Sequence, residues 1–164
     1  MGERRPPALD QVLRNRVYAS LYWKRELFAA TAETVLQQAA ALRYAGGVYG
    51  PFAKPTRFLC LLLKLLHIAP EAEVVFAFLA SRRLKYLVVL ALLYVRLTAA
   101  PRQVYLTLEQ FLPDYRKIVV RDAQGRFELL HVDEIAHALL RRERVFGLAL
   151  PRLPARTQLQ AEGA

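Results

Sequence analysis

YLVVLALLYVRL, residues 86–97, is apolar on nearly every side when it is wound into a helix. A helix of that kind has to be buried, so the stretch predicts a central helix over about residues 84–98. The run FLCLLLKLLHIA, residues 58–69, has the same character and predicts a second buried helix over about 56–68. Each run has 12 residues, with Arg96 or Lys64 inside it. Since a bilayer-spanning helix needs roughly 20 apolar residues, we expect two buried helices and no membrane contact.

The sequence around these runs predicts further helices of amphipathic character. Thr31 is a suitable N-cap, and Pro70 and Pro101 are suitable first residues of a helix. The predicted helices cover residues 9–28, Thr31 to about Tyr44, Pro70 to about Ser81, Pro101 to just before Pro113, and about 132–143.

The sequence pattern changes from helical to β-rich after Pro113. The segment KIVVRDAQGRFELLHV, residues 117–132, has two short β-rich runs separated by a turn signal at residues 122–125. It predicts a hairpin with strands at 117–121 and 126–130. The fold class is therefore all-α, a mainly helical single domain with a small β-hairpin near residues 117–130. We expect a flexible N-terminus at 1–8, one helical domain at 9–153 and a loose C-terminal tail at 154–164.

Composition limits the classes of function. Of the 164 residues, 55% are hydrophobic and 23% are charged, which is typical of a globular chain with a substantial core. The formal net charge of +10 favours polyanionic surroundings such as nucleic acid or a ribonucleoprotein. Cys60 is the single cysteine, so an internal disulfide is excluded, and a reducing compartment is expected.

The segment RYAGGVYGPFAKPT, residues 43–56, has the ingredients of a phosphate-binding loop. The order is wrong, because Ala53 precedes the lysine and Pro55 follows it, and the segment before the glycines is a predicted helix. We interpret the glycines as a helix stop, and we expect the apolar side chains of the loop to fold back on the core or, less favoured, to form an exposed partner surface. The predicted partner-binding residues are Tyr44, Gly46, Gly47, Val48, Tyr49, Phe52 and Lys54.

No constellation in the sequence predicts catalysis. The densest group of metal-ligand types is His131, Asp133, Glu134 and His137, with Glu134 and His137 spaced as in carboxylate di-metal bundles. Such bundles need a second pair on buried helices, which is missing, so a solvated helix start with a capping Asp is the favoured interpretation. Cys60 lies in an apolar run and is interpreted as structural. We expect no enzyme and no cofactor, and a metal-dependent enzyme is the least favoured alternative.

Basic clusters suggest RNA as an alternative partner. The predicted RNA contacts are Arg82, Arg83, Lys85, Arg141, Arg142 and Arg144. In addition, Tyr18, Tyr22 and Trp23 are interleaved with basic residues, which would suit stacking on RNA bases. The opposing interpretation is that the aromatic residues are core and the charges are solvated, and it is favoured for Trp23.

Six motifs occur in a specific order along the chain. They are NRVYASLYWK (15–24), TAETVLQQAAALRYAGGVYG (31–50), KPTRFLCLLLKLL (54–66), YVRLT (94–98), DYRKI (114–118) and LPRL (150–153). As a set they resemble the pre-mRNA-splicing factor 38 family over about residues 15–153.

The resemblance implies an all-helical, non-enzymatic nuclear protein of the spliceosome. Members of that family join with the tri-snRNP and are needed for spliceosome activation, where they act as a platform for other splicing proteins. The implied partners are a zinc-finger splicing protein and a relative of the microfibril-associated protein, which dock short helical segments. Contact with snRNA or pre-mRNA is a further expectation. Some relatives carry a long Arg/Ser-rich tail that this sequence lacks, so no role of that tail is carried over.

Overall fold

The computed structural model describes residues 9–162 of the chain, so the predicted flexible N-terminus at 1–8 lies outside the described residues. The helices are α1 (Gln11–Ala19), α2 (Ala32–Ala40), α3 (Arg57–Ile68), α4 (Ala72–Leu79), α5 (Lys85–Thr98), α6 (Pro101–Leu108), α7 (Val132–Arg141) and α8 (Arg156–Ala161), with a π-helical segment at Trp23–Leu27 and a 3₁₀ turn at Glu109–Phe111. The strands are β1 (Ala45–Gly46), β2 (Val48–Tyr49), β3 (Lys54–Pro55), β4 (Lys117–Arg121), β5 (Phe127–His131), β6 (Arg144–Val145) and β7 (Leu148–Ala149).

Helix α5 is the centre of the core, as its sequence predicts. Every residue from Tyr86 to Leu97 is buried except Tyr94, which is half-buried. The helix contacts α2, α3, α4, α6 and α7. Its one charged residue in that stretch, Arg96, is 4% exposed and donates from Nε to the Leu139 carbonyl of α7 at 2.7 Å. A buried cation is tolerated here because it satisfies a backbone acceptor on the neighbouring helix.

Helix α3 is the second buried helix, also as predicted. Thr56 caps it by accepting a hydrogen bond from the Leu59 backbone N–H at 3.1 Å. Ala69 ends it in the left-handed conformation, with φ of +49°. The side chain of Lys64 is buried and donates to the Phe28 carbonyl at 3.0 Å. Neither apolar run forms a membrane span, since no helix in residues 9–162 is long and apolar enough to cross a bilayer.

The single helix predicted over residues 9–28 is wrong, because the backbone breaks at Ser20. Ser20 has an extended ψ of 149°, and its hydroxyl donates to the Val17 carbonyl at 2.7 Å. The same oxygen accepts from the Trp23 backbone N–H at 3.2 Å. The Ser20 side chain therefore provides hydrogen bonds to backbone groups that a continuous helix would pair with each other. This ends α1 before the π-helical segment begins.

The prediction that Gly46 and Gly47 stop the second helix is also wrong. Helix α2 begins after the Thr31 cap as predicted but ends at Ala40, and Ala45–Gly46 forms β1, which pairs with β4 in parallel. Gly46 has φ of +147°, and a Cβ on it would lie 2.5 Å from the Arg121 carbonyl oxygen. A glycine is thus required at position 46, because the backbone of β1 lies against that of β4, a strand far away in the sequence. The helix expected from Pro70 begins two residues later, at Ala72.

The predicted hairpin is present as β4 and β5, with Val119 opposite Leu129. Strand β1 extends it to a three-stranded sheet in the order β1-β4-β5. Two further two-stranded sheets, β2-β3 and β6-β7, were not predicted, because strands of two residues leave no periodic signal. The molecule is therefore mainly helical with small sheets, more β structure than the one predicted hairpin.

The segment at 154–164, for which the sequence predicts a loose tail, contains α8 within its described part. The Tyr105 hydroxyl donates to the Pro154 carbonyl at 2.8 Å. Arg156 forms an ion pair with Glu109. These contacts attach the start of the segment to the end of α6 and to the 3₁₀ turn that follows it.

Candidate partner-binding site

The loop at residues 44–54 is built from β1, β2, β3 and the turns between them. Val48 pairs with Pro55 and Tyr49 with Lys54 across the β2-β3 ladder. The Gly50 backbone N–H donates to the Ala123 carbonyl, in the turn of the β4-β5 hairpin, at 2.9 Å. These bonds hold the loop against the hairpin, so its exposed side chains have defined positions.

Arg121 of β4 joins the loop to the hairpin through its guanidinium group. The group lies 3.9 Å from the ring centroid of Tyr49, 4.8 Å from that of Phe127 and 5.6 Å from that of Tyr44. Its Nε donates to the Gly125 carbonyl at 3.1 Å. Cation–π contacts of this kind stabilise the arrangement of the aromatic rings. Arg121 was missed at the level of sequence, because only the fold brings it beside Tyr44 and Tyr49.

A cavity of about 800 Å³ lies between this loop and the N-terminal helical segments. We name it the loop cleft. It is lined by Arg16, Ala19, Ser20, Leu21, Tyr22, Arg25, Glu26, Tyr44, Tyr49, Phe52, Ala53, Lys54, Pro55, Thr56 and Arg57. The lining therefore contains four cations and a single acid, Glu26. Such a wall attracts an acidic ligand.

Phe52 is at the rim of the loop cleft with 85% of its surface exposed, and Leu21, which lines the same cleft, is 63% exposed. The expectation that the apolar loop residues fold back on the core is therefore wrong for Phe52. Val48 and Tyr49 are half-buried. Phe52 stands at the tip of a tight turn, flanked by Gly50 with φ of +81° and Ala53 with φ of +50°. The tip projects beyond the core, and the Phe52 carbonyl accepts from Arg16 at 2.8 Å.

A second cavity, of about 550 Å³, lies on the other side of the loop, and we name it the arginine cleft. It is lined by Gly47, Val48, Val120, Arg121, Asp122, Ala123, Glu128, Leu130, Glu134, Ile135, Ala138, Arg142, Arg144, Val145, Phe146 and Gly147. The fold thus brings two predicted partner-binding residues together with two predicted RNA contacts. Three acids also line the cleft, so its charge is mixed.

The other predicted RNA contacts are separate from both clefts. Arg141 is exposed next to the arginine cleft but does not line it. Arg82, Arg83 and Lys85 lie at the link between α4 and α5, where Arg116 donates to the Ser81 and Arg82 carbonyls at 3.0 and 3.2 Å. The structure therefore shows no single surface that contains all six basic residues.

The aromatic residues near α1 already have partners for their rings. Trp23 is 6% exposed, which confirms that it is core. Tyr18 packs edge-on against Trp23 at 5.2 Å and its hydroxyl lies 2.9 Å from Nε2 of His67. Arg57 covers Tyr22 at 4.8 Å, and burial raises the pKa of the Tyr22 hydroxyl to about 12. Stacking of RNA bases on these rings would require the existing contacts to open.

The ligand-type residues near α7 serve the helix start. One ligand atom each from His131, Asp133 and Glu134 lies within 4.8 Å of the others. The His131 backbone N–H donates to Glu134 Oε1 at 2.9 Å, and His131 Nδ1 lies 3.0 Å from the same oxygen. These hydrogen bonds lower the pKa of Glu134. The predicted capping Asp is wrong, because His131 and Glu134 form the reciprocal cap.

Cys60 is 1% exposed, as the interpretation of a structural cysteine requires. Its sulfur lies 3.8 Å from the Ser20 hydroxyl. Burial raises the pKa of the thiol to about 11, so the nucleophilic thiolate is scarce at neutral pH.

Comparison with known proteins identifies close relatives. The PRP38 family model matches residues 2–163. The chain is 46% identical over 152 residues to the Pre-mRNA-splicing factor 38A of Xenopus tropicalis and to that of Homo sapiens, an alignment that covers 93% of this chain and 49% of each relative. For the Danio rerio protein the identity is 44% over the same coverage. The chain therefore spans about half the length of the curated relatives it matches.

The fold also matches a solved structure described as the crystal structure of the Snu23-Prp38-MFAP1(217-258) complex of Chaetomium thermophilum. The TM-score is 0.91 at 32% sequence identity, over 94% of this chain and 81% of that chain. With the family match over nearly all residues, these findings show that the chain belongs to the PRP38 family.

Proposed function

We propose that this chain is a non-enzymatic nuclear scaffold of the spliceosome, which acts in spliceosome activation by docking other splicing proteins. Membership of the PRP38 family and the splicing-factor names of its relatives support the proposal. The solved structure that this fold matches is described as a complex of Snu23, Prp38 and MFAP1(217-258). A chain of this fold in a complex of three proteins supports docking in particular.

The observation that carries the proposal is the loop cleft. It combines four cations on its walls with exposed apolar side chains at its rim, Leu21 and Phe52. Apolar anchors beside a charged wall are the features by which grooves hold amphipathic protein segments. The predicted residues Tyr44, Tyr49, Phe52 and Lys54 line this cleft, and Gly46 and Gly47 position them from the core.

The partners we propose are the counterparts of Snu23 and MFAP1, together with components of the tri-snRNP. They correspond to the zinc-finger splicing protein and the microfibril-associated-protein relative that the sequence resemblance implies. The loop cleft is the surface that we assign to one of these protein segments.

The test is the affinity of the chain for a peptide that corresponds to the MFAP1(217-258) segment, measured by calorimetry. The variants Phe52→Ala and Lys54→Glu remove an apolar anchor and reverse a charge in the loop cleft. We expect each to weaken binding about tenfold or more, a loss typical of an interface anchor. Arg102→Glu is the matched control, since Arg102 is exposed on α6 and outside the cleft.

The two outcomes of this test separate the parts of the proposal. If the unaltered chain fails to bind this peptide and the counterpart of Snu23, the docking function is contradicted. If it binds and the two loop variants bind equally well, docking stands and its assignment to the loop cleft is overturned.

RNA binding is a second proposal, supported by the exposure of residues 141–144 at the end of α7. Three of these four residues are arginines, and Arg142 and Arg144 also line the arginine cleft. Neutralising phosphates with these side chains would make the affinity for a single-stranded RNA fall as salt is raised. The triple variant Arg141→Glu, Arg142→Glu and Arg144→Glu should reduce both the affinity and its salt dependence. An unchanged affinity would exclude this patch.

A further inference from the structure

Strand β5 is at the edge of the three-stranded sheet, and its outer side has no neighbouring strand in the described chain. The Asp122 N–H donates to the Arg126 carbonyl, and the Val132 N–H donates to the Arg116 carbonyl. In an antiparallel ladder the inward backbone groups recur at every second residue, so residues 126, 128, 130 and 132 point to β4. The backbone groups of Phe127 and Leu129 therefore point outward.

The side chains of this edge strand are unusually apolar for an exposed position. Phe127 is 56% exposed and Leu129 is 54% exposed, and both lie on the same face of the sheet. Natural edge strands are protected by lysine, proline or a covering element. The sequence of β5, FELLH, has neither lysine nor proline. An edge with outward donors and apolar side chains is a template for an added strand.

The charges around β5 define what such a strand should contain. On the face of Phe127 and Leu129, the sheet residues also include Lys117, Arg121 and His131, and the acid nearest to them is Glu134 of α7, whose Oε1 lies 3.0 Å from His131 Nδ1. On the opposite face Glu128 is exposed. A complementary strand would place an acid beside His131, with Lys117 one strand further away on the same face, and a base beside Glu128.

We propose that β5 takes up an extended segment of a protein partner as a fourth, antiparallel strand of this sheet. The segment would carry, in chain order, an acid opposite His131, any residue opposite Leu130, an apolar residue opposite Leu129, a base opposite Glu128 and an apolar residue opposite Phe127. Main-chain hydrogen bonds supply affinity in this mode of recognition, and the alternating side chains supply specificity.

A second copy of the chain is a poorer occupant of the edge. Antiparallel self-pairing centred on Leu129 would set Phe127 opposite His131, and Glu128 opposite Leu130. Each copy also has a formal charge of +10, which opposes close association. The edge is separate from the loop cleft, because neither Phe127 nor Leu129 lines it. The two surfaces meet where the Phe127 ring packs edge-on against Tyr44, with ring centroids 5.3 Å apart.

The test is a titration of the isotopically labelled chain with a synthetic peptide whose core reads ETVKV, followed by amide spectra. We expect the largest shifts at the amides of Phe127 and Leu129. A peptide with N-methyl groups on the two valine amides, opposite Leu129 and Phe127, should bind at least tenfold more weakly. No shift at millimolar peptide, equal binding of the N-methylated peptide, or shifts confined to the loop cleft would overturn the proposal.

Variants of the protein sharpen the result. Leu129→Pro removes an outward donor and leaves the β4-β5 ladder bonds in place, so binding should fall at least tenfold, and Leu129→Val should bind normally. If Leu129→Pro fails to fold, Phe127→Lys tests the same edge, because it removes the apolar contact with the peptide valine and places a lysine, a residue that protects natural edge strands, at this position. Sedimentation that shows dimers abolished by Phe127→Lys would identify a second copy as the occupant and contradict the proposal.

Discussion

At the scale of single residues, buried glycines fix the loop that forms the loop cleft. Gly46 lies against the Arg121 carbonyl, and Gly47 lies against the Phe146 carbonyl in the β6-β7 turn. Neither neighbour is a flexible side chain that could give way, so both contacts exclude a Cβ atom. Two glycines that the sequence marks as a helix stop therefore serve to bring a loop, a strand and a turn together.

Gly47→Ala should destabilise the fold through this contact alone, because Gly47 has no positive φ. We expect a loss of about 1–3 kcal/mol in the free energy of unfolding, as for other overpacked sites. Gly50→Ala is the matched control: its added Cβ meets nothing within 4 Å, but an alanine at its φ of +81° costs about 1 kcal/mol. Urea unfolding measures both, and a smaller loss for Gly47→Ala than for Gly50→Ala would contradict the contact.

Asp114 makes a pH-dependent contribution to stability. Hydrogen bonds from the Arg116 side chain, the largest cause, lower its pKa, and the two groups form an ion pair at 2.7 Å. A carboxyl whose folded pKa is depressed stabilises the fold at pH values above its unfolded pKa, about 3.9. That contribution is lost as the pH falls through the folded pKa.

Asp114→Asn should therefore destabilise the chain at pH 7 and make little difference at a pH below the folded pKa. Urea unfolding of both proteins between pH 7 and pH 2.5 measures the difference. Glu73→Gln is the matched control, because Glu73 is an exposed acid on α4 outside this ion pair. A difference between Asp114→Asn and the unaltered chain that does not change with pH would rule out the ionic origin.

At the scale of elements, Thr56 joins the loop to the buried helix α3. Its hydroxyl donates to the Gly46 carbonyl of β1 at 2.7 Å and accepts from the Leu59 N–H at 3.1 Å. The residue is 2% exposed, so water cannot replace these partners. A single side chain therefore sets the position of β1 relative to α3.

Thr56→Val keeps the shape of the side chain and removes both hydrogen bonds. Because a buried N–H and a buried carbonyl are left unpaired, we expect a loss of about 2–4 kcal/mol in the free energy of unfolding. Thr31→Val removes the cap of α2 at an exposed position and should cost about 1 kcal/mol. Thermal or urea unfolding compares the two variants. Similar losses in the free energy of unfolding would mean that burial of Thr56 does not increase the cost of losing its hydrogen bonds.

At the scale of the whole molecule, α5 is enclosed by five other helices, and two buried cations brace the core. Arg96 holds the end of α5 to α7, and Lys64 holds α3 to the end of the π-helical segment. In contrast, α8 has no buried residue. Protection against local opening should therefore be strongest at the centre and weakest near the C-terminal end.

Hydrogen exchange should show this order directly. Amides in the middle of α5 should exchange only through global unfolding, because no part of α5 can open without exposing the core. Amides of α8 should exchange by local opening, many-fold faster. Exchange of α5 amides as fast as those of α8 would show that the core is not one cooperative unit.

The positions of the buried helices, the Thr31 cap and the hairpin followed from local sequence. An apolar run, a capping side chain and a turn signal each act within a few residues. The structure that each one specifies can therefore be predicted from the sequence without knowledge of tertiary contacts. The start of α7 at residue 132 followed in the same way, but the expected capping Asp is wrong, because His131 and Glu134 form the cap. His131 is an unusual N-cap, and its geometry depends on the strand that precedes it.

The core helices α3 and α5 were determined by local pattern, because only burial suits a helix that is apolar on all sides. Strand β1, the Arg121 contacts and the two clefts were decided by tertiary structure. Each of them joins residues far apart along the chain, such as Gly46 with Arg121 or Tyr49 with Arg121. Contact between residues so far apart along the chain depends on where the core helices place the two segments. Such a contact cannot be predicted from a short-range sequence pattern.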